Sequence, residues 1–144
     1  MTHKDEGQYT RKHPTGTAVD EEVAAAVRQK AENGEMACAT AFEIAAAFGI
    51  IASEVGKALD LTETRITKCQ LGLFGYGPGI KLLKTSDAIT PEMEKTIRGR
   101  LVDGKLSCAA AWEIAREFHV PKMDVSSACE VLGVRVKPCQ LGAF

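Results

Sequence analysis

The feature that most constrains the fold of this chain is an internal duplication at a fixed spacing of 70 residues. Of the 41 positions in residues 34–74, 16 hold the same residue as the position 70 further along the chain. The agreement runs from Gly34, matched by Gly104, to Phe74, matched by Phe144, without a gap. Such a repeat predicts two copies of one supersecondary unit, and the residues kept in both copies indicate what that unit requires.

Hydrophobic periodicity predicts three helices in each copy. The first helix begins after Asp20 in one copy and after Thr90 in the other, where Pro91 suits the first helical position. Gly34 and Gly104 stand where this helix is expected to stop. The second and third helices are predicted at 38–48 and 52–61, and at 108–118 and 122–132.

Each copy is expected to end in a short extended tail, at 65–69 and 135–139, where apolar and polar residues alternate. The predicted fold is therefore mainly α, a tandem duplication of a three-helix module with a short extended tail. Its organisation is expected to be a disordered N-terminal tail at 1–19, a first repeat at 20–77, a linker at 78–89 and a second repeat at 90–144.

The second helix, the turn and the third helix of each copy resemble the helix-turn-helix of bacterial repressors and activators. Ala45 lies where the two helices would cross, Gly49 makes the turn, and Val55 faces inward from the third helix. His119 replaces the turn glycine in the second copy, and histidine tolerates a left-handed backbone better than most residues. The resemblance implies a DNA-binding transcriptional regulator with two covalently linked helix-turn-helix units.

Charge separates the two copies. Residues 20–77 hold nine acidic and five basic side chains, a net of −4, whereas residues 90–144 hold seven acidic and eight basic, a net of +1. DNA phosphates attract lysine and arginine, so the second copy is the better candidate for reading DNA. Its expected contacts are Lys122, Met123, Ser126 and Ser127, pointing outward from the third helix, with Arg135 and Lys137 in the tail. In the first copy the third helix has a blander face, at Ala52, Ser53, Gly56 and Lys57, suited to the DNA backbone or to a protein partner. The candidate DNA contacts of the first copy are Ser53, Lys57, Arg65 and Lys68.

Each copy keeps a pair of cysteines, Cys38 with Cys69 and Cys108 with Cys139, whereas Cys129 has no counterpart. The pairs could bind a metal ion, form a redox disulfide or simply pack. Packing is favoured because no Cys-x-x-Cys spacing occurs and cysteine behaves as a small hydrophobe in an alanine-rich core. No other cofactor is expected. The Cys-Gln-Leu-Gly-x-Phe tails also resemble small proteins of anaerobic bacteria linked to molybdenum-enzyme maturation, a resemblance that implies no residue role here.

Several classes of function are disfavoured by what the chain lacks. It has no phosphate-binding loop and no metal-type histidine spacing, so we expect no enzyme activity. It has no signal peptide and no apolar run of membrane-spanning length, so we expect a cytoplasmic location without a membrane partner. Two alternatives to the DNA-binding regulator stay open. One is a protein–protein adaptor of the same fold, including a homo-oligomer, and the other is a thiol- or metal-responsive sensor.

Overall fold

The chain is mainly helical, as its sequence predicts. The computed structural model describes residues 9–13, 20–77 and 89–144, which form two compact units. The first unit is the described part of Met1–Cys69 together with Gln140–Phe144, and the second is the described part of Gln70–Cys139. The predicted linker lies outside the described residues except for residue 89.

The two units contain the same succession of helices and strands. The first runs α1 (Glu21–Lys30), β1 (Glu35–Ala37), α2 (Cys38–Phe48), α3 (Ala52–Leu61) and β2 (Arg65–Thr67). The second runs α4 (Pro91–Gly99), β3 (Lys105–Leu106), α5 (Cys108–Phe118), α6 (Lys122–Leu132) and β4 (Arg135–Val136). The predicted second and third helices are confirmed in both copies.

The helix caps come from the residues that the sequence indicated. The Asp20 carboxylate accepts hydrogen bonds from the backbone N–H groups of Glu22 and Val23, at 2.8 and 3.2 Å. Thr90 Oγ1 accepts one from the backbone N–H of Met93 at 3.2 Å. These bonds satisfy N–H groups that have no partner within the helix, and so they fix where α1 and α4 begin.

A pair of short parallel strands closes each unit. Met36 in β1 stands opposite Ile66 in β2, and Leu106 in β3 opposite Val136 in β4. The extended tails predicted at 65–69 and 135–139 are thus strands over part of their length, and their partners β1 and β3 were not predicted. Each pairing joins the strand before the second helix of a unit to the strand after its third helix.

Gly34 and Gly104 were expected to end the first helices, but they do not. Helix α1 ends at Lys30 and α4 at Gly99, and the glycines lie in the turns that follow. Asn33 and Gly34 have φ of 53° and 74°, and the corresponding residues of the second unit have 51° and 75°. Two successive positive φ values are what a type I′ hairpin turn requires. The turn redirects the chain into β1 or β3.

Each unit contains the end of the other repeat. We call Cys69–Phe74 the first tail and Cys139–Phe144 the second tail. Leu141 of the second tail is buried in the first unit, where its carbonyl lies against Gly56. Leu71 of the first tail is buried in the second unit. The compact units therefore differ from the predicted domains 20–77 and 90–144, because each tail buries its leucine beside the helices of the other repeat.

The N-terminal residues that the structure describes are ordered, although a disordered tail was predicted for 1–19. A 3-10 helix at Tyr9–Lys12 lies against α3. The Glu63 carboxylate accepts hydrogen bonds from the backbone N–H groups of Tyr9 and Thr10 and from the Thr10 hydroxyl, at 2.7–2.9 Å. Asp60 is buried and lies 3.0 Å from Lys12 Nζ. The rest of 1–19 lies outside the described residues.

These contacts change the acidity of Glu63. Desolvation alone would raise the pKa of this carboxyl group, but the hydrogen bonds from Thr10 and Tyr9 together outweigh it, and the pKa lies below its ordinary value of 4.5. The ionised form of Glu63 is therefore the form that holds the 3-10 helix.

Candidate nucleic-acid interface

The turn between α5 and α6 is the part of the second unit that the helix-turn-helix resemblance singles out. His119 ends α5 in the left-handed conformation, with φ 54° and ψ 42°, and its backbone N–H points back to the Ala115 and Arg116 carbonyls. Helix α6 then begins at Lys122, whose Nζ lies 4.3 Å from the centre of the Trp112 ring and 3.4 Å from Gln70 Oε1. The lysine is half-buried and held in place by both neighbours.

Only some of the residues predicted to lie on the exposed face of α6 are accessible to solvent. Lys122 and Met123 are half-buried, so the first turn of the helix reaches the surface. Ser126 and Ser127 are 1% and 7% exposed, and the prediction that they point outward is wrong. The Ser127 hydroxyl donates a hydrogen bond to the Met123 carbonyl at 2.8 Å within its own helix. Periodicity placed these serines opposite the core, but the unit also buries the first tail.

The two basic residues predicted as contacts after the third helix of the second repeat are accessible. Arg135 in β4 and Lys137 just after it are both exposed. The backbone N–H of Lys137 donates to the Leu106 carbonyl at 2.8 Å, so the main chain beneath the exposed side chain is anchored to β3. This arrangement leaves both cationic groups available to an anionic partner while their backbone is held.

The corresponding residues of the first unit carry less available positive charge. Ser53 and Lys68 are exposed, Arg65 is half-buried, and Lys57 forms an ion pair with Glu54 at 3.0 Å. On the same helix Gly56 is buried against the second tail. The middle of α3 is therefore closed to a ligand, like the middle of α6.

Three residues beside Lys122 were not predicted as site residues. Trp112 and Arg116 on α5 and His119 at the turn line a cavity of about 550 Å³ together with Lys122. The first repeat has Phe42, Ala46, Gly49 and Ala52 at the matching positions. Comparing the repeats position by position would have revealed this set, because the basic residues occur in the second repeat and not in the first.

The five cysteines differ in burial. Cys38, Cys69, Cys108 and Cys129 are buried and Cys139 is half-buried. Within each unit, the described residues include no group of three or more histidine, cysteine or acidic side chains placed to hold a metal ion. Burial raises the pKa of the Cys129 thiol to about 11. The packing role of the repeated cysteines stays a prediction.

Comparison with known proteins leaves the chain without a relative from which a role could be transferred. No protein-family model, curated protein or solved structure matches it. Among the described residues no single helix has the length and apolar character to cross a membrane. Helices α2 and α3 reach both only when they are taken together, and they are bent by 116° at their junction.

Proposed function

We propose that this protein is a DNA-binding transcriptional regulator in which the second unit contacts DNA. The observation that carries the proposal is the basic surface where α5 meets α6. Arg116 is exposed there, Lys122 stands at the first turn of α6, and the first unit has alanine at both positions. In helix-turn-helix proteins the N-terminal residues of the second helix approach the base edges.

The burial of Ser126 and Ser127 narrows the proposed contact surface. Of the four contacts predicted on α6, only Lys122 and Met123 at its start are accessible to a DNA groove. Arg135 and Lys137 are exposed and would serve as phosphate contacts that fix the orientation of the unit. The first repeat, residues 20–77, has a net charge of −4 and would contribute little to DNA affinity.

The test is the salt dependence of binding to a fluorescein-labelled DNA duplex, measured by anisotropy with the full chain. Lys122→Ala and Arg135→Ala should each weaken binding and flatten the plot of log K against log salt by about one unit, the effect of losing one phosphate contact. Lys57→Ala is the matched control, because Lys57 is already paired with Glu54 in the more acidic repeat.

A second candidate is a protein–protein adaptor, favoured by the turn between α2 and α3. Phe48 and Ile51 at this turn are 39% and 68% exposed. Such exposed apolar side chains are typical of protein-binding surfaces when they lie together. Absence of any salt-dependent DNA binding by the full chain would reject the regulator and favour the adaptor.

A further inference from the structure

The cavity at the α5–α6 turn has the size and lining of a ligand site. Its volume is about 550 Å³, within the range of roughly 300–1,000 Å³ usual for small-molecule pockets. One part of its wall is apolar, from the Trp112 ring, Val120 and Pro121. The other part is basic, from Arg116, His119 and Lys122. We call this cavity the turn pocket.

No carboxylate lines the turn pocket. The two glutamates of α5, Glu113 and Glu117, lie near Arg100 instead. Glu117 lies 2.6 Å from the Arg100 guanidinium and Glu113 lies 3.8 Å from it. Among the described residues, neither Arg116 nor Lys122 forms an ion pair. The described lining of the pocket therefore includes basic side chains and no carboxylate.

The fold does not need this set of side chains. The first unit makes the same helix–turn–helix with Phe42, Ala46, Gly49 and Ala52 at the four positions. Two arginine or lysine side chains and an indole ring at one turn are therefore an addition to the second unit. Like charges placed close together repel each other, and an anion bound between them would relieve that repulsion.

We propose that the turn pocket binds a small organic anion, one phosphate or carboxylate group attached to a planar apolar group. The Arg116 guanidinium and the Lys122 ammonium would bind the anionic oxygens, because guanidinium presents paired N–H donors to such groups. The planar part would lie on the Trp112 ring, where Lys122 now sits. A bare phosphate would fill only a small part of the volume. This site goes beyond the proposed DNA binding and does not depend on it.

The chain offers a direct readout, because Trp112 is its only tryptophan. The full-length protein is titrated with phenyl phosphate, and with phenol and inorganic phosphate as its two halves, while Trp112 fluorescence is followed. We expect a saturable change with phenyl phosphate and binding at least about tenfold weaker for either half. No saturable change with phenyl phosphate would overturn the proposal.

Matched variants separate the pocket from other basic surfaces. Arg116→Ala installs the residue that the first repeat has at this position, so the helix should tolerate it, and circular dichroism verifies the fold. It should weaken phenyl phosphate binding at least about tenfold, whereas Arg135→Ala should leave it unchanged. Equal affinity in Arg116→Ala and the wild type would also overturn the proposal. Because no DNA is present, failure here is distinct from failure of DNA binding, to which Arg135 is expected to contribute.

Discussion

The substitution Gly56→Ala tests where the second tail packs, because the tail should cancel or reverse the stabilisation that alanine ordinarily gives a helix. Gly56 lies inside α3, and replacing an interior helical glycine with alanine ordinarily stabilises a protein by about 1 kcal/mol. In this structure a Cβ at position 56 would collide with the Leu141 carbonyl oxygen. It would also lie 2.7 Å from the Leu141 carbonyl carbon and 3.2 Å from its Cα. The obstacle is backbone, which no rotamer change relieves.

The expected magnitude follows from how firmly the tail is held. Leu141 and Ala143 are 2% and 5% exposed, so moving the backbone away from the new methyl group exposes buried apolar surface. Overpacking of this kind costs about 1–3 kcal/mol. Set against the gain of about 1 kcal/mol in helix propensity, the net result is a loss of up to about 2 kcal/mol in the free energy of unfolding.

The assay is urea unfolding followed by far-UV circular dichroism. Gly99→Ala is the control, because Gly99 is also helical and nothing lies within 4 Å of an added Cβ, so this variant should be neutral or slightly stabilised. Gly56→Ala is also made in a chain lacking Gln140–Phe144, where the methyl group should become stabilising by up to about 1 kcal/mol. If Gly56→Ala stabilises the intact chain by the full gain of about 1 kcal/mol that helix propensity gives, the described packing of Leu141 on α3 is refuted.

Two further predictions concern ionisable groups. Glu63→Gln should lower stability at neutral pH by less than about 1 kcal/mol, since Glu63 is exposed. Because the pKa of Glu63 is lowered in the fold, its contribution is present above 4.5 and is lost as pH falls through the folded value. The urea midpoints of wild type and variant should therefore converge in acid, and a gap that persists there would contradict the assignment. Cys139, the half-buried thiol, should react with a disulfide reagent before Cys129, whose pKa is about 11. Mass spectrometry of the labelled native protein identifies the site, and first labelling at Cys129 would contradict its burial.

Local signals were enough to predict the helices. Capping by Asp20 and Thr90 and the left-handed turns at Gly49 and His119 depend on residues close in sequence, and the structure has all four where they were expected. The Asn-Gly and Asp-Gly turns before β1 and β3 also had a local signal, since these dipeptides favour type I′ turns. The strands that follow, of three residues in β1 and two in β3, are too short to show an alternating pattern, so the sequence does not distinguish these turns from helix ends.

Only the tertiary structure decided which surface each tail covers. Both tails read Cys-Gln-Leu-Gly-x-Phe, and the two repeats have matching helices, so the chain's pattern favours neither unit over the other as the place where a tail packs. Burial of Leu71 and Leu141 is a long-range contact, and it closes α3 at Gly56. Ser126 on α6 is 1% exposed, although helical periodicity places it opposite the core. Periodicity identifies the face turned away from one core, whereas a helix packed on a second side buries residues that the pattern marks as exposed.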